Sequence, residues 1–257
     1  MPTELPAAAG FLDKWLQREP AFVQASLFVA PAQRALFAHW GALLYCLREA
    51  AFELSDPSLR VAKSSWWAQE LLALARGNAS HPLTRELVVH AAAPWSDLSM
   101  ALLQAVSHSD QSAVDTDAAI TQLQALAAAM VAVEAALLGG EAGAVATRWA
   151  AIHLLSQRLL VGQAADDAGR IPLQLHARFQ VSRSAIREGT AGAAVASYAQ
   201  ELLLAAPADG VNVPLFRRMQ WVLDRALLRR LANRQSVPAR PGMLGLWQLW
   251  RAARRGG

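Results

Sequence analysis

The sequence predicts an all-α protein, a single-domain helical bundle, and three observations carry that expectation. Apolar residues recur at i, i+3, i+4 and i+7 in several stretches, and none alternates convincingly with period two. Alanine and leucine, both strong helix formers, are in excess. Helix stops are written into the chain at Asp56-Pro57, Gly77-Asn78 and Gly139-Gly140.

Taken in order, Pro31 just inside the start of a long run predicts a helix over 32–55, ended by Asp56-Pro57. The next spans 58–76 and stops at Gly77-Asn78. Further helices are expected over 95–108, 117–138, 141–164, 191–206, 214–234 and 242–254. No linker divides the chain, so 1–257 reads as one domain with a basic C-terminal region, 214–257.

The chain has 257 residues, 54% of them hydrophobic, enough for a sizeable core. Its formal net charge is +4, which favours anionic partners. The charge is uneven: from Arg217 to Arg255 there are ten arginines and one acid, Asp224. The single cysteine, Cys46, excludes an internal disulfide and any multi-cysteine zinc site, and fits a reducing compartment. The N-terminal stretch has no basic-then-apolar signal pattern. The longest uncharged run, 118–133, falls short of the roughly 20 apolar residues of a membrane span. The expected location is the cytoplasm, with the inner membrane face as the place for a peripheral attachment.

Several side chains invite chemistry. Arg34, Arg48, Arg60 and Arg170 would suit a phosphate-binding mouth, because guanidinium forks match phosphate oxygens; otherwise they are structural, paired with Glu49, Glu70 or Glu86. Trp40, Trp66, Trp67, Trp95 and Trp149 are pocket walls or core aromatics. His153 and Gln157 lie one turn apart and would share a face. In the segment 214–234, Leu215, Met219, Val222, Leu223, Ala226, Leu227 and Leu231 form an apolar stripe, with Arg217, Arg218, Arg225, Arg229 and Arg230 largely on other faces. That basic outside, with Trp247 and Trp250, is expected to meet an anionic membrane surface. Nucleic acid is not expected, since no base-reading module accompanies the charge. Nucleophile elbow, P-loop, dinucleotide fingerprint and zinc spacing are all missing from the sequence.

Four stretches, read in order, resemble the squalene/phytoene synthase family. "PAFVQASLFVAPAQRALFAHWGALLYCLRE" resembles its first core helices, ending in Tyr-x-x-Arg at Tyr45 and Arg48; "SDPSLRVAKSSWWAQELLALARGNASHPLTREL" resembles the next helix and its His81-Pro82 start. "TDAAITQLQALAAAMVAVEAALLGG" resembles the helix after that, and "QRLLVGQAADDAGRIPLQLHARFQV" keeps part of a Gly-Arg-x-Tyr-Leu-Pro landmark as Gly169-Arg170-Ile171-Pro172-Leu173. The resemblance implies an isoprenoid-synthase-type bundle that joins prenyl diphosphates head to head, with Mg²⁺ held by two aspartate-rich motifs.

Both motifs are degenerate. Counted from Arg48, the first places its metal positions on Ala51, Phe52 and Ser55; counted back from Gly169, the second falls on Leu154, Gln157, Val161 and Ala165. None of these carries a carboxylate. Acids stand nearby, Glu49, Glu53 and Asp56 in one stripe and Asp166 and Asp167 late in the second motif, and these are the catalytic candidates. At 100° per residue they project away from the expected faces.

The resemblance so altered implies a non-catalytic relative that binds an isoprenoid or other lipid, or a scaffold in complex assembly, as in a branch that includes a mitochondrial assembly factor for respiratory complex I. Arg48, Phe52, Gln157, Val161 and Arg170 are then the expected ligand-binding residues, and an apolar tunnel is expected at the bundle centre, lined by the faces that carry Phe52, Leu154, Val161 and Ala165. No metal or other cofactor is expected. The alternative is an active head-to-head prenyltransferase that uses the displaced acids with Mg²⁺.

Overall fold

A computed structural model gives the fold over residues 8–161, 169–208, 210, 212–236 and 240–254. The described residues form helices and turns without strands, so the protein is all-α. Their α-helices are α1 (Ala9–Arg18), α2 (Ala21–Ala25), α3 (Arg34–Arg48), α4 (Pro57–Ala75), α5 (Pro82–Arg85), α6 (Trp95–Ser107) and α7 (Thr116–Leu138). They continue as α8 (Ala144–Val161), α9 (Leu173–Phe179), α10 (Arg183–Arg187), α11 (Gly192–Ala205), α12 (Leu215–Ala232) and α13 (Met243–Arg254).

The expected stops act where the sequence places them. Asp56 caps α4, its carboxylate accepting from the backbone of Ser58 at 2.8 Å and Leu59 at 3.3 Å. At the other end Gly77 takes φ +74°, which a glycine adopts without the Cβ penalty. There Asn78 N–H reaches back to the Ala73 carbonyl at 2.9 Å. Gly139, also at positive φ (+75°), ends α7, its own N–H donating to the Ala135 carbonyl at 3.1 Å.

One expectation needs correction. The helix predicted over 32–55 is not continuous: α3 widens after Arg48 into a π-helical turn over Glu49–Glu53. The 100° projection does not hold across a turn whose hydrogen bonds run i→i+5. Of the short helices, α9 and α10 carry too few residues to stand out by periodicity.

Packing runs α4 on α6, α6 on α7, α7 on α8 and α8 on α12, which lies between α11 and α13. α3 is the most enclosed element: Trp40 through Arg48 are all buried. Aromatic rings fill the space around it, Phe22 stacked on Phe216 at 5.3 Å and Phe37 against Phe216 at 4.8 Å. Each such ring contributes about 1.5–3 kcal/mol on burial. α1 lies flat on α3 because residue 41 is glycine; a Cβ there would come within 2.3 Å of the Trp15 ring.

α7, 23 residues long, is the one described helix with the length and apolarity to cross a bilayer, and more than half of its apolar window is buried inside the bundle. Its Glu134 is held in a fully buried ion pair with Arg217, at 2.5 and 3.2 Å, and also accepts from Trp40 Nε1 at 3.3 Å. Arg217 therefore belongs to the core and not to a basic outside, which corrects the expected distribution along α12.

Candidate functional site

α12 and α13 lean apart, and the space between them opens into a cleft of about 960 Å³, floored by α8 and closed at one end by the α1–α2 junction. Its chemistry is divided. Arginine comes from α12 (Arg218, Arg225, Arg229, Arg230), from Arg240 ahead of α13, from Arg251 on α13 and from Arg18 on α1. Apolar wall comes from Phe22, Trp149, Leu160, Trp221, Leu244 and Trp247. Trp149 and Trp221 are stacked at 5.3 Å, and Trp149 Nε1 is tied to the Pro207 carbonyl at 3.1 Å, so this wall is fixed.

The two acids of the cleft are already committed. Glu19 accepts from Arg48 Nη1 at 2.9 Å. Asp224 accepts from His153 Nδ1 at 3.0 and 3.1 Å and from Gln220 Nε2 at 3.1 Å. Arg48 Nη1 also lies 3.3 Å from His153 Nε2. Because a guanidinium only donates, Nε2 must accept, which leaves the ring proton on Nδ1 facing Asp224. A buried chain, Glu19–Arg48–His153–Asp224–Gln220, thus runs beneath the cleft. By contrast, among the described residues Arg225, Arg229 and Arg240 form no side-chain hydrogen bond or ion pair. The cleft presents unpaired positive charge on one side and rings on the other.

The residues singled out from sequence are distributed differently. Gln157 lines the cleft from α8. Arg48 lies below it as a structural cation, paired with Glu19 and also with Glu53 at 3.1 Å. Phe52 is in the packed core with the Arg158 guanidinium 5.4 Å from its ring. Arg170 donates to the Leu159 and Leu160 carbonyls at 3.3 and 3.2 Å, capping the end of α8. Val161 is the last residue of α8. The space bounded by Phe52, Leu155 and Arg158 measures about 10 Å³, room for a water and not a hydrocarbon chain, while Ala165, expected on the tunnel wall, lies outside the described residues.

Of the displaced acids, Glu49, Glu53 and Asp56 are each engaged elsewhere. Glu49 is salt-bridged to Lys14 at 2.8 Å and Lys63 at 2.7 Å. Burial works to raise its carboxyl, but the two ammonium groups outweigh that and hold it below the ordinary carboxylate value. Glu53 binds Arg48 and Arg18, and Asp56 is consumed as the α4 cap. Asp166 and Asp167 lie outside the described residues. Among the described residues no three His, Cys, Asp or Glu side chains come together as a metal-ligand set.

The expected arginine partners also need correction. Arg60 pairs with Asp110 at 2.6 Å, and Arg34 binds the Val29 and Leu27 carbonyls. Glu70 instead organises the start of α5, accepting from the backbone of Ser80 and His81 and from the Thr84 hydroxyl. Sequence reasoning missed the cleft's best-defined parts, the Trp149–Trp221 stack and the His153–Asp224 pair. One signal was present: an aspartate alone among ten arginines in 217–255 is the natural carrier of a buried pairing.

Compared with known proteins, the chain matches no family model, no curated protein and no solved structure.

Proposed function

We propose that the protein binds an anionic amphiphile, an isoprenoid or another lipid with a phosphate-type headgroup, in the α12–α13 cleft, and does not turn it over. The observation that carries this reading is the cleft's divided lining. Unpaired guanidiniums suit phosphate oxygens, and stacked indoles suit a hydrocarbon chain. The volume, about 960 Å³, lies within the range of small-molecule sites, roughly 300–1,000 Å³. The resemblance to squalene/phytoene synthases favours a prenyl chain as the apolar part.

Absence of turnover is supported by how the acids are used. Departure of a diphosphate needs charge neutralisation at the leaving group. Glu49, Glu53 and Asp56 are engaged with lysines, arginines and a helix end, and point to no common centre. Incubation with farnesyl and geranylgeranyl diphosphates plus Mg²⁺ tests the reading on two channels. Bound lipid recovered with the protein, without pyrophosphate release, is expected. A C30 or C40 product that vanishes on Glu53→Ala would overturn it in favour of the prenyltransferase.

A further inference from the structure

α13 is buried on one side only. Leu249 and Ala252 pack inward, while Met243, Leu244, Trp247 and Trp250 are 85, 68, 51 and 39% exposed. At about 100° per residue, positions 243, 247, 250 and 254 fall on nearly one line. A helix at a water-facing surface normally turns polar side chains outward. Here the outward face is apolar and aromatic, and its charges are two arginines. Arg251 lies over the Trp247 ring at 5.4 Å and Arg254 over the Trp250 ring at 4.7 Å. No acid occurs after Asp224. Beside α13, and packed against it, α2 and the turn Ser26–Phe28 expose Val23 and Leu27, at 50 and 64%.

We propose that this face of α13 is a docking surface for an anionic lipid bilayer. Its composition is that of an interfacial helix, with apolar side chains entering the acyl boundary, indoles at headgroup depth and arginines reaching to lipid phosphates. Charge selects this occupant over a second copy of the chain, since self-association would set Arg251 and Arg254 against their own equivalents. Leu244, Trp247 and Arg251 also line the cleft. The mouth of the cleft therefore opens at the docked face, and a lipid would pass from bilayer to cleft without crossing water. This last step rests on the lipid-binding reading; the docking itself does not.

The test uses the full chain with vesicles of phosphatidylcholine alone or mixed with phosphatidylglycerol. An environment-sensitive maleimide dye is placed at Met243→Cys, with Val89→Cys, on the turn ahead of α6, as control. The native thiol will not compete, because Cys46 is buried and burial pushes it up to about 12. Flotation with the anionic vesicles alone is expected, weakened at 1 M salt where screening shortens to about 3 Å. The dye at 243 should shift to the blue and the dye at 89 should not. Met243→Glu with Trp250→Glu, neither of which lines the cleft, should lower the bound fraction at least tenfold while leaving uptake of soluble prenyl diphosphate unchanged. Equal flotation with both vesicle types, no flotation, or flotation without a shift at 243 would overturn the docking surface. Vesicle binding retained without any lipid in the cleft would sink the cleft reading and leave the docking surface standing.

Discussion

The two ends of α12 use the same residue type in opposite ways. At the first end Arg217 is sealed in the core against Glu134, both fully buried, and Asp224 closes on His153 nearby. At the second end Arg225 and Arg229 stand exposed at the cleft without partners among the described residues. The helix is continuous, so composition does not separate the two roles. What separates them is the partner each meets: α7 brings a carboxylate to Arg217 and α8 an imidazole to Asp224, whereas among the described residues no acid pairs with Arg225 or Arg229. On this helix Arg217 is structural because a counter-charge shares its burial, and Arg225 and Arg229 are available because no described acid meets them.

The largest effect should come from breaking the sealed end. Glu134→Ala leaves Arg217 as an uncompensated buried cation and is expected to cost about 3–5 kcal/mol in urea unfolding. Replacing both partners, Glu134→Leu with Arg217→Met, should recover most of that loss. If the double replacement is as damaging as the single one, the pair is doing more than balancing its own charge.

Next is the pair beneath the cleft. Asp224→Ala strands the His153 Nδ1–H and the Gln220 amide, with an expected cost of about 1–3 kcal/mol. Thermal or urea denaturation measures it, and a change well under that range would mean solvent reaches these groups and the floor is open.

A smaller, pH-dependent effect extends the comparison to Glu49. Glu49 is held below its ordinary value of 4.5 by Lys14 and Lys63 against the opposing effect of burial. Below 4.5 the unfolded chain takes up the proton first, so the Glu49 contribution is fully present above that pH and is lost as pH falls through the lower folded value. The difference between urea midpoints on either side of 4.5 should be smaller in Glu49→Gln, which lacks this titrating group.

The smallest stability change belongs to the open end. Arg225→Gln with Arg229→Gln should shift unfolding by no more than about 0.5 kcal/mol per site, yet lower the lipid recovered from the cleft. A stability loss like that of Glu134→Ala would erase the distinction between the two ends.

Much of the fold was legible because its signals are local. Asp56-Pro57, Gly77-Asn78 and Gly139 mark ends that form as expected, and the long helices follow their apolar periodicity. The site was legible only in part. Gln157 and the cationic second half of α12 meet at the cleft, but the space beside Phe52 is small and the cleft lies elsewhere. Helical spacing reports which way a side chain faces and not what it meets. Glu134 finds Arg217 across 83 residues, and His153 finds Asp224 across 71. Pairings of that separation are decided by how helices pack, which no window of sequence contains.

The π-helical turn after α3 bears on how the chain tolerates changes in length. Arg48 and Glu53 bond at 3.1 Å although five residues separate them, a spacing that an α-helix would splay by about 140°. The widened turn holds one residue more than an α-turn would. Deleting Ala50 or Ala51 would convert the pair to i, i+4, where an ordinary helix already brings such partners together. The ion pair would survive the deletion, with Glu53 still on the Arg48 face. In this segment one residue can be lost while the contact across the turn is kept, a change of length that a plain α-helix would pass on as a rotation of about 100° of everything beyond it.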